Sequence, residues 1–438
     1  MKACPTTYRK RWVLFIVLLS FLVSCSAVKI KESYVGLGWA SNSVNTVIFR
    51  SSAVTTFKDY QFTSYYNQNG KMVLAKRLLG SDQWELQETQ YSGNIKDAHN
   101  TICIAVDTQG FLHVSWGQHD SKLNYARSTK PLGLELTEKL TMTGLQEEKV
   151  TYPEFHNLPS GKLLFCYRSG ASGRGNMVID EYDPITKSWS QLQNNLLDGQ
   201  DQRSAYWQMA IGKNGAIYLS WVWRETWDVA TNHDICFAVS HDGGVTWQKS
   251  TGETYELPIT ESKAEVIWKV PQNSNLINQT SMTVGDDGNP YIATYWNNSK
   301  AIPEYKVVFQ KNNTWQLINT DFHKNPFQLS GGGTKRIPIS RPKILVDDKM
   351  IYLLYRDEEQ NNKMMMAYAS INKKEWKQLS LTDYDVGQWE PNYDAELWKA
   401  QKELHIFSQK VTQVDSEGLA DNNPQPVKII EITKMPKQ

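Results

Sequence analysis

The sequence predicts an all-β fold, a β-propeller of seven blades that forms a single domain. A short alternating strand, a turn rich in Gly, Asn or Asp, and a second β-rich strand recur along the 438 residues. The copies of this unit are the segments 60–77, 101–118, 152–168, 207–223, 280–296, 342–356 and 393–409. Long amphipathic helices are absent from the pattern, so strands account for the regular structure. A propeller of six or eight blades, or a β-sandwich with a second domain, are the alternatives.

The turns between the paired strands follow hairpin chemistry. Asn-Gly, Asp-Gly and Ser-Gly pairs stand at 69–70, 287–288 and 160–161, and such pairs supply the positive φ that tight hairpins require. One further turn, 240–247, has the S-x-D-x-G-x-T-W pattern of an Asp-box, in which the Asp side chain caps backbone amides. The motif indicates the fold and says little about chemistry.

Composition limits the functional classes. The chain is 40% hydrophobic and 21% charged, as a globular protein is, and its formal net charge is only +1. We therefore expect no nucleic acid partner, and any basic site must be local. The 16 Trp and 21 Tyr suit either a β-rich core or surfaces on which sugars stack.

Residues 1–25 have the features of a lipoprotein signal segment. A cluster of Lys and Arg precedes a short apolar run that ends in Leu-Val-Ser-Cys at 22–25. The run is too short for a transmembrane helix, and its end resembles a bacterial lipobox with Cys25 as the lipidated residue. An ordinary secretory signal is the alternative. We expect an exported catalytic domain over 26–438, anchored at the outer membrane by lipid alone, on the cell surface or in the periplasm, or else secreted.

The remaining cysteines are too few and too scattered for a disulfide framework. Cys103, Cys166 and Cys236 each lie in an apolar strand-like run, so we expect small buried hydrophobic residues, with one bridged pair as the alternative. His233 and Cys236 are a candidate metal pair for a structural zinc or calcium ion, although a zinc site needs further ligands. No cofactor is expected for catalysis.

Polar residues concentrate at strand ends in the second, third and fourth blades. They precede inner strands or follow second strands, and they are His99, His119, Tyr152, Arg168, Tyr206 and Arg224. In a propeller, both kinds of position lie on one face around the central channel. The sequence therefore predicts that these side chains converge on one rim.

This set of side chains suits eliminative cleavage next to a uronic acid. The reaction needs a cation that neutralises the C6 carboxylate, a base that removes the C5 proton, and an acid that protonates the leaving oxygen. Arg168 suits the first role, because a guanidinium group pairs bidentately with a carboxylate. A His or an activated Tyr suits the second role, and a Tyr hydroxyl suits the third.

Each candidate also has a purely structural explanation. His99 could cap a turn through Asp97 or Asn100. His119 could be a rim histidine that only hydrogen-bonds Asp120. Tyr152 could pack between blades, and Arg168 could form an ion pair between blades.

The same part of the chain contains several distinctive motifs, which are DAHNT at 97–101, WGQHD at 116–120, YPEF at 152–155, YRSGASGRGN at 167–176, AYW at 205–207 and WVWRET at 221–226. Together they resemble the motifs of the seven-bladed propeller lyases, with BNR or Asp-box repeats, that cleave ulvan. Ulvan is a sulfated algal polysaccharide of rhamnose and uronic acids. The resemblance covers nearly the whole chain after the signal segment. It implies a polysaccharide lyase, expected as a monomer, whose partner is an acidic rhamnose–uronate polymer.

The resemblance also implies residue roles. His99 and Tyr152 become the acid and base candidates, in an order that stays open, and Arg168 becomes the carboxylate neutraliser. His119 and Tyr206 become supporting or alternative acid and base groups. Candidates for substrate binding in the same motifs are Asn100, Arg174, Asn176, Trp223 and Arg224.

Two other functions fit parts of the sequence. A glycoside hydrolase that releases rhamnose or another sugar needs two facing carboxylates, and Glu154, Glu225 and Glu390 are unpaired candidates. A similar group of propellers removes rhamnose from glucuronic acid with a His near the first blade, but the stretch 44–52 has none. A non-catalytic carbohydrate-binding lipoprotein would keep the aromatic residues without needing His, Tyr and Arg together.

Overall fold

The computed structural model describes residues 1–4, 28–347, 349–373 and 375–437. Cys25 and most of the predicted signal segment therefore lie outside the described residues. The division into a signal segment over 1–25 and a domain over 26–438 stays a prediction. None of the helices in the described part is long and apolar enough to cross a membrane.

Strands follow one another along almost the whole described chain. The first sixteen are β1 (Ile30–Gly38), β2 (Val54–Phe57), β3 (Tyr60–Tyr66), β4 (Lys71–Leu78), β5 (Glu85–Ser92), β6 (Ile102–Val106), β7 (Leu112–Trp116), β8 (Tyr125–Arg127), β9 (Val150–Asn157), β10 (Leu163–Ala171), β11 (Arg174–Asp183), β12 (Ser188–Gln193), β13 (Ser204–Ile211), β14 (Ile217–Arg224), β15 (Asn232–Ser240) and β16 (Glu265–Trp268). The others are β17 (Ser281–Val284), β18 (Pro290–Asn297), β19 (Pro303–Lys311), β20 (Thr314–Asn319), β21 (Lys343–Asp347), β22 (Met350–Arg356), β23 (Met364–Ser370), β24 (Lys377–Ser380), β25 (Leu404–Gln409) and β26 (Gln425–Ile432). The helical elements are short: α1 (Ala395–Gln401) and the 3-10 turns Val229–Thr231, Glu358–Gln360 and Asp415–Glu417. The all-β prediction is confirmed.

The strands pair in antiparallel order with their neighbours in sequence. β2 to β5, β17 to β20 and β21 to β24 form four-stranded sheets, and β6 to β8 form a three-stranded one. β9 to β12 and β13 to β16 are also antiparallel units, but one parallel pairing of Gly175 with Ser204 joins them into a sheet of eight strands. β26 pairs with both β25 and β1, so the last strand of the chain holds the first.

The first strands of these units lie side by side around a channel. β2 lies against β6, β6 against β9, β13 against β17, β17 against β21, and β2 against β25. Residues from β2, β6, β9, β13, β17 and β21 line one cavity between them. Apolar clusters fill the space between successive sheets, for example between β19 and β22, where Tyr305 packs on Tyr355. The arrangement is propeller-like, and it places the start of each inner strand near the same mouth of the channel.

The predicted Asp-box forms after β15 and is confirmed. The Asp242 carboxylate accepts hydrogen bonds from the backbone amides of Val245 at 3.2 Å and Thr246 at 2.9 Å. It also accepts one from the Thr246 hydroxyl at 2.6 Å. Trp247 at the end of the motif is fully buried. The turn therefore anchors the outer edge of its sheet in the core.

The last repeat departs from the predicted strand–turn–strand pattern. Residues 395–401 form α1, and only the second strand of the repeat, β25, is present. Asp394 caps the helix, because its Oδ1 accepts from the Leu397 amide at 3.0 Å. The sequence Ala-Glu-Leu-Trp-Lys-Ala-Gln consists largely of strong helix formers, so local propensity explains the difference.

Asp242→Ala tests the Asp-box. The substitution removes the acceptor of several backbone and side-chain donors, so we expect the free energy of unfolding to fall by about 0.5–2 kcal/mol. Urea denaturation followed by tryptophan fluorescence measures this change. The control is Glu256→Ala, which breaks only an exposed ion pair with Lys263 and should cost less than ~0.5 kcal/mol. Equal losses in the two variants would contradict the role given to the turn.

Candidate active site

One cavity gathers the polar residues predicted at the blade rim. Its volume is about 240 Å³, and it lies where β9 and β13 begin and where β10 and β14 end. The predicted residues in its wall are His99, His119, Tyr152, Arg168, Tyr206 and Arg224. The segments 277–279 and 332–335 contribute further wall residues. The predicted convergence of these six side chains is confirmed.

Two stacked imidazole rings, those of His99 and His119, share one carboxylate. Their ring centroids are 4.0 Å apart and their planes differ by 13°. Oδ1 of Asp97 is 3.0 Å from His99 Nδ1, and Oδ2 of Asp97 is 2.6 Å from His119 Nδ1. Because an ionised carboxylate can only accept hydrogen bonds, both Nδ1 atoms are donors. The Nε2 atom of each ring is left for other partners.

A second carboxylate, that of Glu417, also contacts His99. Its Oε1 is 3.1 Å from His99 Nδ1 and accepts from the Thr334 amide at 2.6 Å, while Oε2 accepts from the Ala98 amide at 2.9 Å. Burial by itself lowers the pKa of His99, but the hydrogen bonds to Asp97 and Glu417 outweigh it and raise that pKa above its ordinary value. His99 is therefore a strengthened base with a fixed tautomer.

Tyr152 reaches the cavity from a β-bulge at the start of β9. Tyr152 and Pro153 together face one residue of β10, Tyr167. The φ of Tyr152 is 57°, a left-handed conformation that costs a residue with a Cβ atom about 1–3 kcal/mol. Burial, and then the charge of Tyr206, raise the pKa of Tyr152 to about 12. The bulge thus directs the Tyr152 hydroxyl into the cavity, and the raised pKa keeps this hydroxyl protonated.

Two guanidinium groups at the cavity have no carboxylate partner among the described residues. Arg168 is only 1% exposed. Its Nε donates to the Gly170 carbonyl at 3.3 Å and a terminal nitrogen to the Tyr206 hydroxyl at 3.4 Å. Arg224 donates to the Trp227 carbonyl, and its buried Nε has no partner. Both positive charges are therefore available to an anion.

Tyr206 lies between these two arginines. Its hydroxyl is 3.0 Å from Ser172 Oγ, and the guanidinium carbon of Arg224 is 5.3 Å from its ring centroid. Burial raises the pKa of Tyr206, but the charges of Arg224 and Arg168 outweigh it, so this pKa lies below the ordinary tyrosine value. The rings of Tyr206 and Tyr152 are 6.0 Å apart, and Tyr206 is the one that ionises more readily.

Carboxylates stand behind the wall of the cavity rather than in it. No Asp or Glu is among the wall residues in the part of the chain that the structure describes. Asp97 and Glu417 are bound to histidine, and Glu390 forms a bidentate pair with Arg341 at 2.9 and 2.6 Å. The charge that the wall presents to a ligand is therefore positive.

Phe49 forms the floor of the cavity and belongs to a segment that fills the channel. Residues 40–50, between β1 and β2, are all buried. Arg50 holds the segment in place by donating to the carbonyl of Ile102 at 2.8 Å. The Phe49 ring stacks on His99 at 4.9 Å and meets Tyr152 edge-on at 5.2 Å. The stretch 44–52, which contains no His, thus supports the site from below.

Four predicted substrate-binding residues lie outside the cavity wall. Asn100 is buried behind it, and Arg174 and Asn176 belong to the hairpin of β10 and β11. Trp223 is 1% exposed and packs in the core, so it cannot stack on a sugar. This corrects the prediction for Trp223, because the tryptophan at the wall is Trp227, which is 64% exposed.

His233 and Cys236 are not brought together as metal ligands. His233 Nε2 is 2.8 Å from Glu225 Oε1, and its Nδ1 is 3.2 Å from Asp234 Oδ2. Cys236 lies in the apolar core instead, and the buried Cys103 and Cys166 are also unpaired. In the described ranges, groups of three candidate ligand side chains occur elsewhere, at Asp97–His99–His119 and His323–Asp357–Glu359.

Besides Phe49, three further parts of the site were not foreseen from the sequence. Glu417 comes from the irregular connection before β26, and Thr334 follows a run of three glycines at 331–333. Gln279 stands just before β17, as His99 stands just before β6. The rule that located His99 would therefore have found Gln279 as well, whereas the glycine run was the only sign of Thr334.

The comparisons agree with this architecture. Residues 60–322 match the model of the BNR repeat-containing family. The chain belongs to this family. Among solved structures, the polysaccharide lyase Uly1 superposes on 92% of this chain and 99% of its own with a TM-score of 0.70 and 14% identity. A PL25 ulvan lyase superposes with a TM-score of 0.69 and 14% identity, over 92% of this chain and 96% of its own. The form of that lyase bound to -[GlcA(1-4)Rha3S]- also has a TM-score of 0.69 and 14% identity, over 91% of this chain and 96% of its own. No curated protein sequence matches significantly.

The two carboxylates at His99 predict how it titrates in this BNR repeat protein. Because Asp97 and Glu417 stabilise the imidazolium form, we expect a His99 pKa above the ordinary 6.5, and Glu417→Gln should lower it. NMR titration of histidine-labelled protein, assigned with His99→Gln, measures both values. Glu148→Gln, which removes an exposed partner of Lys122, should leave the His99 titration unchanged. If the His99 pKa is the same in Glu417→Gln as in the unchanged protein, this account is wrong.

Proposed function

We propose that the chain is a polysaccharide lyase that cleaves a rhamnose–uronate polymer of the ulvan type by β-elimination at the uronic acid. The observation that carries the proposal is the pair of arginines without carboxylate partners, Arg168 and Arg224, beside a carboxylate-bound His99 and two tyrosines. The substrate class is supported by the ulvan lyase of similar fold that is bound to a glucuronate–sulfated rhamnose unit.

Arg168 and Arg224 suit the carboxylate of the substrate. A guanidinium group pairs with a carboxylate through two parallel hydrogen bonds, and the pairing is stronger in an enclosed cavity than in water. Neutralising the C6 carboxylate lets the charge that develops at C5 spread into the carboxyl group. The C5 proton is then easier to remove, and this stabilisation grows toward the transition state.

His99 is the proposed base and Tyr152 the proposed acid. His99 Nε2 takes the C5 proton, the electrons of that C–H bond form the C4–C5 double bond, and the C4–O bond breaks. The Tyr152 hydroxyl, which burial keeps protonated, gives its proton to the leaving oxygen. The products are an unsaturated uronate at one new chain end and a hydroxyl group at the other. Tyr206 orients Arg168, and His119 holds Asp97 in place.

A hydrolytic mechanism has less support in this cavity. Glycoside hydrolases use two carboxyl groups that face the glycosidic bond. The carboxylates considered for that role are engaged elsewhere, Glu154 with His156, Glu225 with Arg203 and Glu390 with Arg341. A binding protein without catalysis would not need a base strengthened by two carboxylates.

We also propose that the fold has seven blades. The sheet of eight strands consists of two antiparallel units of four that are joined by a single parallel pair. If these two units count as separate blades, and β25, β26 and β1 form the closing blade, the described part of the chain contains seven blades.

Export and anchoring through Cys25 complete the proposal. A polymeric substrate has to be met outside the cytoplasm, and the signal-like segment over 1–25 provides for that. We propose a monomer that needs no cofactor for the chemistry and contacts the membrane only through the lipid.

The lyase proposal is tested on ulvan with the protein lacking residues 1–25. We expect a rise in the ultraviolet absorbance of the C4–C5 double bond conjugated with the carboxylate. Arg168→Ala should lower kcat/KM by about 10²–10³-fold, because the developing charge loses its main partner. Arg168→Lys keeps the charge but loses the paired hydrogen bonds, so its kcat/KM should lie between that of Arg168→Ala and that of the unchanged protein.

The matched control is Arg336→Ala, because Arg336 is an exposed arginine that pairs with Glu358 outside the cavity wall. It should retain activity within about twofold, as surface substitutions do. No absorbance on ulvan or on other rhamnose–glucuronate polymers would sink the lyase proposal. New reducing ends without that absorbance would point to a hydrolase.

The raised pKa of His99 predicts the pH dependence. A base must be unprotonated to act, so kcat/KM should rise with pH through the His99 pKa, above 6.5. Asp97→Asn weakens the stabilisation of the imidazolium form and lowers that pKa, so the acidic limb of the profile should move to lower pH. An acidic limb that stays in place in Asp97→Asn would assign the base to another group, with Tyr206 first in line.

A further inference from the structure

A second cavity, of about 180 Å³, opens at the other end of the inner strands. β13 runs from Tyr206 at the candidate active site to Ile211 at this second cavity, and β9 runs in the same sense. Phe49 and Gln279 lie in the walls of both cavities, so the buried segment 40–50 separates them. The proposed elimination uses no group of the second cavity.

Lys343, at the start of β21, lines the second cavity and is half-buried there. Within the described residues its ammonium group has no hydrogen bond and no ion pair. Burial and the charge of Arg341 lower the pKa of Lys343 to about 8, although Glu154 and Glu390 act in the opposite direction. A half-buried ammonium group without a counter-ion loses part of its hydration, and a bound anion would compensate for that loss.

The other charged groups of this cavity are already paired. Glu154, the carboxylate in the same wall, is bound to His156 Nε2 at 3.0 Å. The lysines at the rim pair with rim carboxylates, Lys213 and Lys402 with Asp286 and Lys399 with Glu396. The uncharged polar groups include the Gln208 amide and the Thr283 hydroxyl. Among the described residues of this wall, Lys343 is therefore the cation without an ion pair, and the wall around it is partly polar.

We propose that the second cavity binds a small hydroxylated carboxylate, no larger than a monosaccharide acid, with Lys343 pairing with its carboxylate group. One ammonium group matches one carboxylate, and the amide and hydroxyl groups match the hydroxyl groups of the ligand. The volume admits a single unit, either a free acid or the end of a chain. The site lies apart from the candidate active site, and the inference does not depend on the lyase proposal.

Protection of Lys343 from chemical modification tests this site directly. The full-length protein is reductively methylated with formaldehyde and a borohydride, and the modified lysines are quantified by peptide mass spectrometry. Saturating glucuronate should slow the methylation of Lys343 about tenfold or more, while glucose and sulfate should not. Lys399, a paired lysine at the rim, is the internal control and should be methylated at the same rate with and without glucuronate.

Two variants separate the second cavity from the first. Protection of Lys343 by glucuronate must persist in the double variant Arg168→Ala/Arg224→Ala, in which the candidate active site has lost both proposed carboxylate partners. In isothermal titration calorimetry of this double variant, the remaining glucuronate binding should vanish when Lys343→Gln is added. An oligosaccharide ending in glucuronate that protects as well as the free acid would identify a chain end as the ligand. Unprotected Lys343, or equal protection by sulfate, would overturn the inference.

Discussion

The pairing of β1 with β26 is the constraint on which the candidate site depends. It joins the first strand to the last, from Ile30 opposite Ile432 to Gly38 opposite Gln425. The segment after β1 and the segment before β26 therefore leave the sheet at the same end. The first supplies Phe49 and the second supplies Glu417, and both contact His99. The strand pairing that closes the fold therefore also places both of these residues against the proposed base.

Charge in the candidate site is divided between the wall and the layer behind it. The carboxylates of Asp97 and Glu417 lie behind the wall, where they raise the pKa of His99 without facing a ligand. Arg168 and Arg224 are in the wall and lack such partners. A carboxylate in the wall would pair with these arginines and cancel the attraction for a uronate. The same division strengthens the base and keeps the anion site free.

The hairpins were predictable because their signals are local. Turn chemistry and period-two alternation lie within each repeat, and His99, Tyr152 and Arg168 are fixed by the ends of such strands. The prediction of two strands in the segment 393–409 was wrong for an equally local reason, since the first half of the segment has high helix propensity. Phe49 and Glu417 were not predictable, because they lie in irregular segments that only the pairing of strands from opposite ends of the chain brings together.

Glu390 connects the two cavities through the wall between them. Its carboxylate binds Arg341 bidentately and also accepts from the Ile48 amide at 2.9 Å, in the segment that separates the cavities. Arg341 is thereby neutralised, which leaves Arg168 and Arg224 as the arginines open to an anion on the first side. On the second side, the charge of Glu390 raises the pKa of Lys343 without a contact, and Lys343 has no ion pair among the described residues. Because the Glu390 carboxylate is already bound to Arg341 and to the Ile48 amide, it does not neutralise the positive groups that each cavity offers to an anion.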